Sequence, residues 1–275
     1  MVLKKLLLWP PIYKRLPAAW QASKLNLYGP DFEQAPWKEI DLSGIKLKFK
    51  NPPQTRMFPN DIRVEGMNIY DDNSYNPPWD GGRTKTLYKS GWVYTDGLFG
   101  DGVVGGGTLQ MIIQRRDLKK YGLQSLFIPE QLAVILLDDF EKDYEERNRK
   151  RREDDNYVEP YNSEIHTWLY PKTVAALNPL EHQGLTCYSF SIWRPLETKK
   201  HTWAIAITDE HLLEFSYMPS ASGVDHLADD NNFAEAAEKT AREFADNIDI
   251  TLTPDAERQR QAALTEASKL AQQRA

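Results

Sequence analysis

The stretch HTWAIAITDEHLLEFSYM, residues 201–218, constrains the fold more than any other part of the chain. Two apolar runs flank the polar pair Asp209 and Glu210, the pattern of a β-hairpin. With that pair as the turn, Ala204 and Ala206 stand opposite Phe215 and Leu213, and Trp203, Ile205 and Ile207 share the other face with Leu212. Small side chains opposite large ones on one face, with bulky apolar groups on the other, mark strands covered on both sides. Such a sheet needs a layer above and a layer below, and the rest of the chain must supply them.

Further strands are legible. In SGIKLKFK, Ile45, Leu47 and Phe49 alternate with Lys46, Lys48 and Lys50, the period of a half-buried strand, and Pro52 and Pro53 end it. DIRVEGMNIY repeats the alternation less cleanly, while TKTLYKSGWVYT, TLQMIIQR, EIHTWLY and LTCYSFSIWR read as strands. A helix starts at Pro129, with Ala133, Leu136, Leu137, Phe140 and Tyr144 on one face opposite Asp138, Asp139, Glu141 and Glu145. A second, capped by residues 230–232, buries Phe233, Ala237, Ala241, Phe244 and Ile248. A short helix is expected around Ala18 to Leu27, and a peripheral one from Pro254 to the C-terminus. Strands outnumber helices and come in runs, which predicts an α+β fold with a mainly antiparallel sheet flanked by helices. The expected organisation is a Pro-rich N-terminal arm over 1–40, one α+β domain over 41–252 and a C-terminal helix over 253–275.

Linear motifs for chemistry fail on inspection. Gly100, Gly102 and Gly105 have the G-x-G-x-x-G spacing, but a dinucleotide fingerprint needs a helix after the glycines, and the strand TLQMIIQR follows instead. Seven of the fifteen glycines lie between 91 and 107, so the spacing is easily met by chance, and a flexible hairpin connection is expected there. His166, His182, His201, His211 and His226 form no H-x-x-x-H pair, and DDNSYN at 71–76 lacks the glycine of a calcium loop. Structural or surface roles are expected for the histidines, and neither metal nor cofactor. The single Cys187 sits in an apolar strand as a small core hydrophobe and fits a reducing compartment. Asp138 and Asp139 are expected on a solvated helix face, and RNRKRR at 147–152 in a solvated loop whose field Glu153, Asp154 and Asp155 cancel.

Charge and hydropathy narrow the partners. A net charge of −6 argues against a nucleic-acid-binding surface over the whole molecule. MVLKKLLLWPP reads as the start of a Pro-rich arm, because the prolines interrupt the apolar run that a secretion signal needs. No stretch approaches the roughly 20 apolar residues of a membrane span. A cytoplasmic location is expected. Segment 70–99 carries seven aromatic residues among Gly, Asn and Asp, a composition suited to binding surfaces. Tyr75, Trp79, Asp80, Trp92 and Tyr94 are the expected binding residues, with Trp79 and Trp92 exposed beside an acidic rim.

A strand IDLSGIKLKF ending in prolines, followed after more strands by a hairpin and then FAEAAEKTAREFADNIDITL, resembles the Mog1/PsbP-like group, including bacterial DcrB-like proteins, over residues 39 to 252 with a large insertion. The resemblance implies an antiparallel sheet between helices and a non-enzymatic binding or chaperone-like role, in some members linked to bacterial secretion. It carries over no catalytic residues. The function expected is therefore protein binding, as an immunity or adaptor protein that neutralises or escorts a secreted toxin, with a basic toxin or effector as partner. Against it stand a hydrolase whose residues form no linear motif, and a carbohydrate-binding module using Trp79 and Trp92.

Overall fold

In the computed structural model, residues 21–52, 63–75, 83–97, 102–122, 124–154, 160–222 and 224–274 are described. The elements follow the order β1 (Trp37–Leu42), β2 (Ile45–Lys50), β3 (Gly66–Met67), β4 (Thr84–Thr95), β5 (Val103–Arg115), α1 (Pro129–Phe140), a π-helical turn (Glu141–Glu145) and α2 (Glu146–Glu153). After these come β6 (Asn178–His182), β7 (Leu185–Ile192), β8 (Lys200–Ala206), β9 (His211–Ala221), α3 (Phe233–Asp246), β10 (Ile248–Thr251) and α4 (Pro254–Arg274). A six-stranded antiparallel sheet has the order β4-β5-β9-β8-β7-β6, and a smaller sheet the order β10-β2-β1-β3. The fold is α+β, with antiparallel sheets flanked by helices.

The strands β8 and β9 are buried on both faces, as their sequence requires. On one side Trp203, Ile205, Leu213, Phe215 and Tyr217 meet Ile45, Leu47 and Phe49 of the small sheet and Phe233 and Phe244 of α3. On the other side Ala204, Ala206 and Leu212 meet Leu132, Leu136 and Phe140 of α1 and Ala263 of α4. The alanines face α1 because a helix backbone approaches closely only over small side chains.

The hairpin register differs from the sequence reading by one residue. Ala206 pairs with Leu212, Ile205 with Leu213 and Trp203 with Phe215, so the large residues share one face and the alanines lie on the other. The cause is Thr208, whose Oγ1 accepts from the backbone N–H of Glu210 (3.1 Å) and of His211 (2.9 Å). This lengthens the connection to residues 207–210, and a one-residue slip re-sorts every cross-strand partner.

Two hairpins turn on glycine. Ser43 and Gly44 join β1 to β2, and Gln183 and Gly184 join β6 to β7, all four at positive φ, the geometry that matches strand twist in two-residue turns. The second turn also closes a sheet edge. Gln183 donates to the Ile248 carbonyl (3.3 Å) and accepts from the Ile250 N–H (3.0 Å), taking the place of a further strand beside β10.

Three other expectations are corrected. Segment 147–152 is not a loop but part of α2, continuous with α1 through the π turn. EIHTWLY does not form a strand: Ser163–His166 is a single helical turn, and only Leu169 bridges to Trp193. Residues 21–27 are not helical, and the preceding part of that expected helix lies outside the described residues.

Part of the glycine-rich segment expected as a flexible hairpin connection is strand, and Gly100 lies outside the described residues. Gly105, Gly106 and Gly107 lie inside β5, paired with β4 on one side and β9 on the other. A Cβ at Gly105 would overlap the Phe233 ring, and one at Gly107 the Tyr217 phenol. These glycines let aromatic side chains lie flat on the sheet. Gly107→Ala is therefore expected to lower stability by about 1–3 kcal/mol through overpacking. Gly97→Ala, with open space at that position, should stay within about 0.5 kcal/mol of the parent. Denaturant midpoints of the two variants check this; equal midpoints would refute the packing role.

Candidate functional site

Three of the five expected binding residues prove to be core. Trp92 and Tyr94 are each 1% exposed, and Tyr75 is 5% exposed. They belong to β4 and the loop before it, and the strand alternation turns them toward the small sheet and α3. Trp92 donates its indole N–H to the Pro52 carbonyl (3.2 Å). Tyr94 donates to Thr240 Oγ1 (2.7 Å) and shares a 2.6 Å hydrogen bond with the Tyr217 hydroxyl. Tyr75 donates to the Ile69 carbonyl (2.7 Å) and stacks on His211. The expected exposure of Trp92 is thus overturned, and a saccharide platform using that ring goes with it. Trp79 and Asp80 lie outside the described residues.

The titratable groups are engaged structurally. His211 is 1% exposed; its Nε2 lies 2.9 Å from the Ile69 carbonyl and its Nδ1 2.8 Å from Thr208 Oγ1. Burial, opposed by the bond to Ile69 and assisted by Arg115, lowers its pKa to about 4. Cys187 is buried in β7, and burial pushes its thiol up to about 12, so it stays protonated at neutral pH. Asp138 is solvated as expected, its side chain 40% exposed, whereas Asp139 is more buried; both accept from the Tyr121 hydroxyl. Hydrogen bonds from Lys120 and Tyr121 hold Asp138 below its ordinary range, whereas burial raises Asp139, whose other oxygen takes a bond from Gln114 (3.0 Å).

What the fold does assemble at its surface is an aromatic and cationic cleft where β7, β8 and β9 outrun the cover of α1. Its volume is about 580 Å³, and its lining includes Trp168, Trp193, Leu196, Lys200, Met218 and His226. The π turn and α2 carry one wall. Asn148 of α2, 1% exposed, accepts from the Trp168 N–H (2.7 Å) and donates to the Trp168 carbonyl (3.1 Å), so a side-chain amide anchors the backbone that presents the indole. Leu169 and Trp193 exchange two backbone hydrogen bonds (2.8 and 3.1 Å), which fixes the second indole at the end of β7.

Cations cover these rings. Arg194 lies 5.3 Å from the centroid of the Trp168 ring, Lys199 5.1 Å from that of Trp193, Arg147 5.3 Å from that of Tyr144 and Lys172 5.1 Å from that of Tyr170. Tyr144, on the π turn, lies 5.6 Å from Trp168 and 5.6 Å from Tyr170 between ring centroids, which joins the pairs into one surface. On the floor, Lys200 Nζ sits 3.4 Å from Glu214 Oε1. Burial works against the Lys200 ammonium, but the attraction of Glu214 and Tyr144 overcomes it and holds its pKa above the ordinary value.

None of the cleft residues was singled out from the sequence. A signal was present in Trp193-Arg194 and in Lys199-Lys200, aromatic and basic residues bracketing a turn between two apolar strands. Their convergence with Trp168 depends on Asn148, distant in sequence and ordinary in type.

No protein-family model matches the chain, and no curated protein matches it. A solution structure of cyanobacterial PsbP (CyanoP) from Synechocystis sp. PCC 6803 is similar at a TM-score of 0.33 and 9% sequence identity, over 79% of this chain and 94% of that one. No helix among the described residues is long and apolar enough to cross a membrane.

Two measurements test this account. Asn148→Ala leaves the Trp168 backbone groups unpaired and should cost about 1–3 kcal/mol, with Trp168 more accessible to a fluorescence quencher; unchanged stability and quenching would refute the anchor. For His211, the neutral ring favours the folded state. Its contribution is complete above the unfolded pKa of about 6.5 and is lost as pH falls toward about 4. Between about pH 7 and about pH 5 the parent should lose on the order of 2 kcal/mol more than His211→Gln in denaturant titrations; parallel losses would exclude His211 as the source.

Proposed function

We propose that this chain is a non-enzymatic protein-binding protein and that the aromatic and cationic cleft is the face that meets its partner. The observation that carries the reading is the continuous surface of Trp168, Tyr144, Tyr170 and Trp193, each ring with a cation beside it. Trp, Tyr and Arg dominate the energetic centres of protein interfaces, because they combine large apolar area with a polar or charged tip. The Asn148 clamp and the Leu169–Trp193 pairing fix two of the rings before a partner arrives. That pre-ordering lowers the entropic cost of association.

The narrower form of the reading is an immunity or adaptor protein for a secreted toxin. On this face such a partner must offer acidic or carboxylate groups, rather than the basic surface that the net charge of −6 alone suggests.

The test is quantitative affinity capture from the native source, comparing the parent with Trp193→Ala and Arg194→Ala. Each substitution should weaken capture of the same protein by on the order of 2 kcal/mol, about thirtyfold in Kd, with the melting temperature nearly unchanged. Equal capture by the parent and both variants would overturn the reading.

A further inference from the structure

We propose that the cleft is a binding site for a carboxylate carried on an apolar body, with Lys200 and His226 taking the carboxylate and the Trp168 and Trp193 rings taking the body. The inference rests on the protein-binding reading in one respect: the source of that chemistry on a partner is the C-terminus of a chain ending in apolar residues. A free organic acid offers the same chemistry, and the experiment below separates the two.

The argument begins with Lys200. It lines the cleft with its side chain 24% exposed, and among the described residues its ammonium has one hydrogen-bond partner, Glu214. The acidic groups of the lining are held elsewhere. Glu197 accepts from Arg194, and Asp225 Oδ1 accepts from the Leu227 N–H (3.0 Å). An entering anion therefore meets incompletely used donors on Lys200 and His226, one carboxylate paired with a cation, and the exposed carboxylate of Asp225.

His226 supplies the second observation. Its ring lines the same cleft, and its Nε2 is shut off from solvent with no hydrogen-bond partner among the described residues. A buried polar atom left unpaired is destabilising, and a small swing of the ring toward a carboxylate recovers that bond. Hydrogen bonds from an ammonium to a carboxylate are charge-assisted and roughly twice as strong as neutral ones. The apolar part of the lining comes from Ile192, Leu196, Met218 and Val224 beside the two indoles, with Thr198 and Ser220 adding hydroxyls, and the volume of about 580 Å³ falls within the range of small-ligand sites.

The test is calorimetric titration of the full chain with three probes: acetyl-Leu-Phe with a free carboxylate, its C-terminal amide, and decanoate. The free acid should bind at least about tenfold more tightly than the amide. His226→Gln should weaken the acid by about tenfold, as should the double variant Lys200→Met/Glu214→Gln, which removes the lysine without leaving a buried carboxylate unpaired. Glu214→Gln alone frees the ammonium and should bind the acid more tightly than the parent, an effect that a merely structural ion pair would not produce. Acid and amide binding alike, no binding of any probe, or an affinity indifferent to these variants would overturn the proposal. Binding of decanoate without the peptide acid would keep the carboxylate site and reject a partner's C-terminus as its source. Capture lost in Trp193→Ala with no probe bound would leave the protein-binding face standing and remove this inference.

Discussion

Because β8 and β9 bury both of their faces, neither layer around them is optional. The face with Trp203, Phe215 and Tyr217 is too wide for one helix, and it takes both the small sheet and α3 to cover it. The opposite face, with Ala204 and Ala206, admits α1 at close range. A small-to-large asymmetry across two strands thus fixes where the helices and the second sheet must lie. The polar residues of the hairpin tip make the arrangement specific. Thr208 and His211 close a network through the Ile69 carbonyl, so the loop before β4 is tied to the same turn that sets the register.

The aromatic residues of β4 belong to this constraint. Tyr94, Tyr217 and Thr240 link β4, β9 and α3 by hydroxyl hydrogen bonds inside an otherwise apolar layer. These three hydroxyls are paired with one another, which is the condition under which a buried network rigidifies a core instead of weakening it. The glycines at 105 and 107 are the complement, since rings of that size lie on the sheet only where no side chain rises beneath them. The last glycine of a run with the spacing of a phosphate loop, Gly105, is thereby explained by packing.

Much of the architecture was legible because it follows from periodicity. The strands around Ile45, Tyr88, Met111 and Tyr188, the helices from Pro129 and from Phe233, and the α+β class all rest on alternation or helical spacing. The register of the β8–β9 hairpin was not legible, because it depends on one threonine hydroxyl choosing its backbone partners. Tyr75, Trp92 and Tyr94 were misread for a related reason. Gly, Asn and aromatic residues also compose strands that pack rings against glycine, and composition does not distinguish that use from a surface. The cleft was the hardest feature to read. Its parts are scattered from Tyr144 to His226, and Asn148 reveals its role only when its amide is seen holding the backbone of Trp168.

The position of the cleft follows from the same layering. α1 covers the sheet as far as Phe140, and beyond it the π turn re-phases the helix so that Tyr144 still reaches Trp168 while α2 becomes mostly polar. Past that point the sheet face carries Lys200 and Glu214 in place of alanines, and no further helix turn lies over Met218. A paired lysine is costly to bury and little use for stability, since an apolar pair of similar size would pack as well or better. Its place in the lining of an aromatic cleft sets that cost beside a surface open to a ligand. The net charge of the molecule is negative, but recognition at short range is set by the groups that face the cleft, where Lys200 stands among the indoles with Glu197 and Asp225.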